Sequence, residues 1–160
     1  MPIGWKKPSG HPIWDVKMDF TRKSRWVKYG HRTPGPKYSN YAGVVSTDSV
    51  IIALTYADLN DLYVTAANIQ SAYLQATSSE KHYVLCGKEF GLENEGNISL
   101  IKRVLYGGNL DGRDFWNHLR SCMNFLGFKF FQADPDIWMR ESAKNDGTDY
   151  WEYVLFYADD

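Results

Sequence analysis

Several features that would define a class of protein are scarce or missing in this chain of 160 residues. It has two cysteines, Cys86 and Cys122, which lack the paired spacing of metal ligands and are too few for a disulfide framework. No apolar run approaches the roughly 18 residues of a membrane span, and the N-terminus lacks the apolar core of a secretory signal. The sequence therefore predicts no membrane partner and two reduced, partly buried thiols, as in intracellular proteins.

The composition is that of a folded domain or a piece of one. The apolar fraction of 44% suffices for a core, and the aromatic fraction of 16% favours strands. There is no internal repeat and no low-complexity segment. The histidines show no metal-ligand spacing. They are predicted to be structural or surface residues: His11, His31, His82 and His118.

Charge is distributed unevenly although the net charge is only −1. Residues 1–41 carry nine Lys or Arg against two acids, and the remaining residues carry nine against seventeen. A basic N-terminal part joined to an acidic remainder favours a polyanionic partner. The alternative is a solvated basic hairpin without a partner, because charge alone says little about fold.

The order of predicted elements is mixed, which favours an α+β fold over a regular parallel α/β sheet. Residues 13–20 and 25–29 predict a β-hairpin whose basic turn is 21–23. Polar residues 46–48 predict the cap of a helix over 47–59, and Asp111 predicts the cap of a second helix that Gly127 ends. A short turn or helix is predicted at 71–74. The remaining predictions are strands at 62–69, 83–86, 98–105, 128–131, 137–140 and 150–157, and loops at 30–40, 87–96 and 144–147.

Two adjacent carboxylates, Asp159 and Asp160, follow the apolar run 153–157. A strand that ends on such a pair presents two hard oxygen ligands, which suit Mg²⁺. Two metal ions with substrate phosphates make a phosphoryl-transfer site. Aspartate is also common in turns, so the pair needs support from the rest of the chain.

Upstream motifs supply that support. In order they are Asn-Ile-Gln-Ser-Ala-Tyr-Leu at 68–74, Leu-Tyr-Gly-Gly-Asn at 105–109, Arg113 with Trp116, and Tyr-Ala-Asp-Asp at 157–160. This series resembles the reverse transcriptase domain of copia-type (Pseudoviridae) LTR retrotransposons. In that family the corresponding segments are a strand ending Asp-Val-Lys-Thr-Ala-Phe-Leu or Asp-Ile-Gly-Asn-Ala-Tyr-Leu, then Leu-Tyr-Gly-Leu-Lys, Arg and Trp, and Tyr-Val-Asp-Asp.

The resemblance implies the fingers and palm of a right-hand polymerase, an antiparallel sheet with packed helices. Residues 1–11 would be an irregular lead-in and residues 12–160 a partial reverse transcriptase that ends at the Tyr-Ala-Asp-Asp turn, truncated before the thumb. The expected context is the rest of a Gag-Pol-type polyprotein. The expected location is a cytoplasmic virus-like particle, with the nucleus as the alternative.

The resemblance also implies a two-Mg²⁺ site that uses Asp159, Asp160, position 68 and the backbone carbonyl of Ile69. Position 68 is Asn68 where the family has aspartate. An amide oxygen can contact Mg²⁺ but brings no charge. Loss of such a contact costs about 10³-fold or more in rate. We therefore expect polymerase activity to be severely impaired or absent in this chain.

The substrate side of the site is implied in the same way. The incoming deoxynucleoside triphosphate would contact Lys23 and Arg25 of the basic hairpin, and Tyr73 would lie under its sugar and exclude ribose. An RNA template and a DNA primer are the other partners. Their contacts would be Gly107, Gly108, Arg113, Tyr157 and Ala158.

Two other interpretations stay open. The first is a decayed, non-catalytic nucleic-acid-binding remnant of the same fold, which Asn68, Gly108 and Asn109 favour. The second is an unrelated aromatic-rich module that stacks sugars on exposed tryptophans. Its candidate residues are Trp5, Trp14 and Trp151. Salt separates the last interpretation from the others, because only nucleic-acid binding should weaken steeply as counterions are released.

Overall fold

The computed structural model of the chain describes residues 3–30 and 43–157. The chain divides into two compact units, Met1–Tyr41 with Gln70–His118 (unit 1) and Ala42–Ile69 with Leu119–Asp160 (unit 2). Within the described ranges the fold is mixed α+β with small antiparallel sheets, which confirms the predicted class. In chain order the strands and α-helices are β1 (Gly10–Val16), β2 (Arg22–Lys28), α1 (Thr47–Leu59), α2 (Ala72–Gln75), β3 (Thr77–Leu85), β4 (Ile98–Arg103), α3 (Asp111–Phe125), β5 (Lys129–Phe130), β6 (Ile137–Ala143) and β7 (Asp149–Leu155).

Unit 1 begins with the predicted hairpin, in which β1 pairs antiparallel with β2. The turn differs from the prediction. The N–H of Lys17 donates to the Thr21 carbonyl oxygen (3.0 Å), and Phe20 takes a φ of 62°. The side chain of Asp19 accepts the N–H of Thr21, so aspartate supplies the turn chemistry that the basic segment lacks. Residues 22 and 23, predicted as turn, therefore lie in β2.

The rest of unit 1 holds the short helix α2, the β3–β4 ladder and the start of α3. The predicted strand at 83–86 starts earlier, at Thr77, with a register shift between Thr77 and His82. Two short 3₁₀ turns, Lys88–Phe90 and Leu92–Asn94, lie in the predicted loop. The buried apolar residues of this unit are Ala76, Tyr83, Val84, Cys86, Ile101 and Val104.

Unit 2 packs around the sheet of order β5-β6-β7. Its buried cluster consists of Met123, Phe128 and Trp138, against which Val154 and Phe156 pack. Helix α1 has the predicted bounds, and its cap is the predicted one. The hydroxyl of Ser46 accepts the N–H of Ser49 at 3.1 Å.

The segment 62–69, predicted as a buried strand, is the main error of the sequence-based prediction. Within the described ranges it pairs with no strand, and Tyr63 and Val64 are 101% and 62% exposed. A short apolar run does not by itself determine a strand. Its backbone donors and acceptors need a neighbour, or they remain bonded to water.

The two cysteines differ from each other in burial. Cys86 is buried, as expected of a structural thiol, and its Sγ lies 3.1 Å from the hydroxyl of Ser99. Cys122 lies on an exposed part of α3, so the prediction of partial burial is wrong for it. Phe125 at the end of α3 and Leu126 beyond it are exposed as well.

None of the helices described in residues 3–30 and 43–157 combines the length and apolar character that crossing a bilayer requires.

The end of α3 confirms the predicted glycine stop. The N–H of Gly127 donates to the carbonyl oxygen of Asn124 (3.1 Å), and the N–H of Phe128 donates to that of Met123 (3.0 Å). These are the two bonds of a Schellman motif, which requires a left-handed residue at Gly127, here with φ of 83°. The motif carries the chain from α3 to Phe128 in the core of unit 2.

Replacing Gly127 by alanine should lower the free energy of unfolding by about 1 kcal/mol, the cost of a left-handed conformation for a residue with a Cβ. A clash is not expected, because the added Cβ would lie 3.7 Å from Cδ of Arg140. Urea denaturation measures the change. Gly127→Asn is the control, since asparagine tolerates this conformation and should lose less stability. Equal losses in the two variants would contradict the explanation.

Candidate functional site

Two of the predicted nucleotide-binding residues meet in a stack of side chains in unit 1. The guanidinium of Arg25 lies 4.7 Å from the centre of the Tyr106 ring. The ring centres of Tyr106 and Tyr73 are 5.1 Å apart in an edge-to-face arrangement, and those of Tyr73 and Phe115 of α3 are 5.5 Å apart. We call these four residues the Arg25 stack. It brings the basic hairpin, helix α2 and the Leu-Tyr-Gly-Gly segment to one place.

The hairpin face that carries Arg25 also carries Lys23. Arg25 pairs with Ile13 and Lys23 pairs with Asp15, and residues two apart in a strand share a face. Arg25 is exposed and Lys23 is half-buried. The face therefore presents two cations against one carboxylate, an arrangement that suits the binding of phosphate groups.

The turn that holds Tyr106 lies against β2. The N–H of Lys28 donates to the carbonyl oxygen of Tyr106 at 2.8 Å. Gly107 has a φ of 90°, and a Cβ there would collide with the Lys28 carbonyl oxygen. A Cβ on Gly108 would collide with the Lys28 ammonium and the Asp111 carboxylate. Both glycines thus have a packing role, and their contact with template or primer stays a prediction.

A buried ion pair closes this turn. Nζ of Lys28 lies 2.7 Å from Oδ1 of Asp111, and the two side chains are 2% and 5% exposed. The other carboxylate oxygen of Asp111 accepts the N–H of Gly108. The Oε2 atom of Glu80 adds a second acid 3.6 Å from Nζ. Burial raises the pKa of the Asp111 carboxyl above its ordinary value, and the Lys28 ammonium opposes that rise.

These residues were missed by the sequence-based prediction. Lys28 counted only toward the basic charge of the N-terminal part, and Asp111 was expected to cap a helix. Asp111 is indeed the first residue of α3, but its carboxylate faces the preceding turn. Because 83 positions separate the partners, no local pattern links them.

His82 lies beside this pair and is 3% exposed. Within the described residues its Nδ1 has no hydrogen-bond partner, and Oε2 of Glu80 is 3.6 Å away. Burial lowers the pKa of the His82 imidazole below its ordinary value of 6.5, and the Glu80 carboxylate opposes this effect. Of the other charges around it, Lys28 and Lys6 also lower the pKa, and Asp111 raises it.

This environment makes stability depend on pH. The unfolded chain protonates His82 near pH 6.5, above the lowered pKa of the folded state, so acidification through that interval favours unfolding. Below pH 6.5, His82 should lower the free energy of unfolding of the parent by up to about 1.4 kcal/mol per pH unit. We expect His82→Gln to abolish this dependence. Urea denaturation from pH 7 to pH 5 measures it. His11→Gln, which removes an exposed histidine of unit 1, is the control, and identical pH profiles for parent and His82→Gln would contradict the prediction.

Arg113 is engaged by groups of its own unit. Its guanidinium donates to the hydroxyl of Ser79 (2.8 Å) and to Oδ1 of Asp114 (2.9 Å). The other oxygen of Asp114 accepts the N–H of Ser79 at 2.7 Å. This network joins α3 to β3, and a phosphate contact of Arg113 stays a prediction.

The predicted metal ligands are only partly within the described residues. Asn68 and Ile69 lie in the exposed segment 62–69. Asp159 and Asp160, with Ala158, lie outside the described residues, and Tyr157 before them is 74% exposed. Among the residues that are described, no group of three or more His, Cys, Asp or Glu could hold a metal ion. The atoms predicted to bind the metal are all oxygens, the ligand atoms that Mg²⁺ prefers.

Comparison with known proteins gives a distant similarity. Over 113 residues the chain is 26% identical to the Gag-Pol polyproteins of transposons Ty1-DR4, Ty1-DR6 and Ty1-LR2 of Saccharomyces cerevisiae. The match covers 69% of this chain and 6–7% of those polyproteins. No protein-family model and no solved structure matches the chain. The similarity supports a retrotransposon origin and fits a place within a polyprotein.

Proposed function

We propose that the chain is part of the fingers and palm of the RNA-directed DNA polymerase of a copia-type retrotransposon. One observation carries the proposal. A chain similar to Ty1 Gag-Pol polyproteins holds four polymerase-like motifs in polymerase order, the last of them Tyr-Ala-Asp-Asp at 157–160. Each motif is moderately specific, and their order along one chain is much more so.

In this proposal the Arg25 stack and Lys23 bind the incoming deoxynucleoside triphosphate. Lys23 and Arg25 share a hairpin face, and their charge suits a triphosphate whose charge must be neutralised in the transition state. The ring of Tyr73 lies between those of Tyr106 and Phe115, and these contacts restrict its orientation. A fixed aromatic ring under the sugar would exclude ribose by contact with its 2′-hydroxyl.

The proposed template and primer contacts in unit 1 are Gly107, which is exposed, Gly108 and Arg113. In unit 2 they are Tyr157, which is exposed, and Ala158. An RNA template with a DNA primer is the expected duplex. Its binding should weaken as salt is added, because it displaces counterions from phosphates.

Asp159, Asp160, Asn68 and the carbonyl of Ile69 would hold Mg²⁺. Two bound Mg²⁺ ions would activate the primer 3′-hydroxyl and stabilise the leaving pyrophosphate. Asn68 supplies an oxygen without a charge, so the site has two carboxylates where the family has three. We propose that nucleotidyl transfer is severely impaired for this reason.

The second candidate function is nucleic-acid binding without catalysis, as a remnant of the same fold. It is favoured by the neutral Asn68 together with the exposed, unpaired segment 62–69 that carries it. The contacts of Arg25, Tyr73 and Tyr106 involve no residue of that segment. Binding is therefore common to the two functions, and nucleotidyl transfer separates them.

The nucleotide proposal predicts that Lys23→Ala with Arg25→Ala lowers the affinity for dATP about tenfold or more, since charge-assisted contacts to phosphate are lost. Isothermal titration with dATP and Mg²⁺ measures it, and inorganic tripolyphosphate tests the phosphate contribution alone. Lys88→Ala with Lys102→Ala is the matched control, because it removes two exposed cations from the same unit. Equal affinities in the parent and the Lys23/Arg25 variant would contradict the proposal.

The metal proposal predicts that Asn68→Asp raises the affinity for Mg²⁺ about tenfold, as a third carboxylate would. Calorimetric titration with Mg²⁺ measures it, and Asn124→Asp, which adds an exposed carboxylate in the same unit, should change little. Primer extension by a full-length polymerase chain that carries this segment, with Asn68 or with Asn68→Asp, then separates the two functions. Extension by Asn68→Asp above the parent supports a polymerase. Tight template binding without extension by either supports the remnant, and equal extension by both contradicts the role of Asn68.

A further inference from the structure

We propose that Lys28 and Asp111 are positioning residues for the Arg25 stack. The inference rests on the proposed function, because it assigns to this stack the binding of a deoxynucleoside triphosphate. Neither residue can itself touch the nucleotide, since both side chains are buried. Their effect would be exerted through the turn that carries Tyr106.

The first step is the connection between the pair and the stack. Lys28 is three residues beyond Arg25 in β2, and its backbone N–H donates to the carbonyl oxygen of Tyr106. Val27 bridges to Tyr106 in the same place. Arg25 and Lys28 point to opposite faces of the strand. Strand β2 thus contacts the Tyr106 ring through Arg25 on one face. On the other face it holds the turn after Tyr106 through Lys28.

The second step is the freedom of that turn. Gly107 and Gly108 follow Tyr106 directly, and two glycines leave a backbone with many accessible conformations. The Asp111 carboxylate reduces this freedom because it accepts the N–H of Gly108 while it binds Lys28. The carboxylate therefore ties the turn, the start of α3 and β2 together.

The third step is the electrostatics of the buried pair between Lys28 and Asp111. Removing two charges from water costs free energy that their attraction repays only in good geometry, so a buried pair is weak evidence for stability. It does fix one geometry, because any displacement leaves a charge buried without its partner. We assign to this pair the orientation of Tyr106 and, through it, of Tyr73.

The test compares three variants of the full chain: Lys28→Met, Asp111→Asn and the double substitution. Lys28→Met leaves the buried Asp111 carboxylate without a cation, and Asp111→Asn leaves the buried Lys28 ammonium with only the more distant Glu80. Each single variant should therefore unfold at lower urea concentration. The double variant removes both charges and should recover stability. We expect it nevertheless to bind dATP about tenfold more weakly than the parent, because the side chain at position 111 no longer ties the turn to the side chain at position 28, and small displacements in a site are costly.

A general loss of folding is separated by a second ligand. Lys23 and Arg25 remain on β2 in the double variant, so its affinity for inorganic tripolyphosphate should fall no more than about threefold, near the size of a single weak contact. A structural defect would lower both affinities by the same factor. Equal losses for dATP and tripolyphosphate, or parental affinity for dATP, would overturn the inference.

A further variant keeps both charges. Gly108→Ala places a methyl group between the Lys28 ammonium and the Asp111 carboxylate, and Gly108 has no left-handed backbone to make alanine itself unfavourable. We expect it to lower dATP affinity selectively as well, and it decides the matter if the double variant does not fold. Parental affinity for dATP in this variant would count against the inference.

The two proposals can fail separately. If Lys23→Ala with Arg25→Ala binds dATP as the parent does, the nucleotide site itself is wrong. If that variant loses affinity and both the Lys28/Asp111 double variant and Gly108→Ala do not, the nucleotide site stands and the positioning role is wrong.

Discussion

The contact between Nζ of Lys28 and Oδ1 of Asp111 organises the candidate site of unit 1. It removes two opposite charges from water and joins residues 83 positions apart in the chain. The pair restricts the turn at 106–108 to one position. Glycines are needed in this turn because a Cβ there would collide with the side chains of the pair or with the backbone of Lys28. The position of the turn determines that of the Tyr106 ring, which Arg25 and Tyr73 contact in the Arg25 stack.

Unit 2 is organised by apolar packing instead. Met123, Phe128 and Trp138 form its core, and the left-handed Gly127 turns the chain from α3 into that core. The ion pair between Arg140 and Glu152 in this unit is partly exposed. The apolar packing leaves the segment 62–69 exposed, although its apolar and β-branched residues favour a strand. Such a segment has the propensity of a strand without the neighbour that would satisfy its backbone.

These differences explain which parts of the fold the sequence predicts. Helix α1 and the stop at Gly127 were predicted correctly because caps are local: the serine or glycine and its hydrogen-bond partners lie within five residues. The strand at 62–69 was wrong because a strand depends on a partner that a local pattern does not contain. Lys28 and Asp111 were missed for the same reason. The resemblance implies nucleotide contacts for Arg25 and Tyr73, and the structure brings these two together through Tyr106, a motif residue for which the resemblance implies no role.

The distribution of these contacts bears on how polymerase activity could be lost in such a chain. Nucleotide binding, as proposed, uses cations and aromatic rings of unit 1 that are held by the Lys28–Asp111 pair. Metal binding, as proposed, uses oxygens at 68–69 and at 159–160, so the two functions share no side chain. Under this proposal, a change from carboxylate to amide at position 68 would remove charge from the metal ligands, and no residue of the Arg25 stack lies at that position. Loss of catalysis with retention of nucleotide binding would then be physically consistent, because the change at position 68 would affect the proposed metal ligands alone.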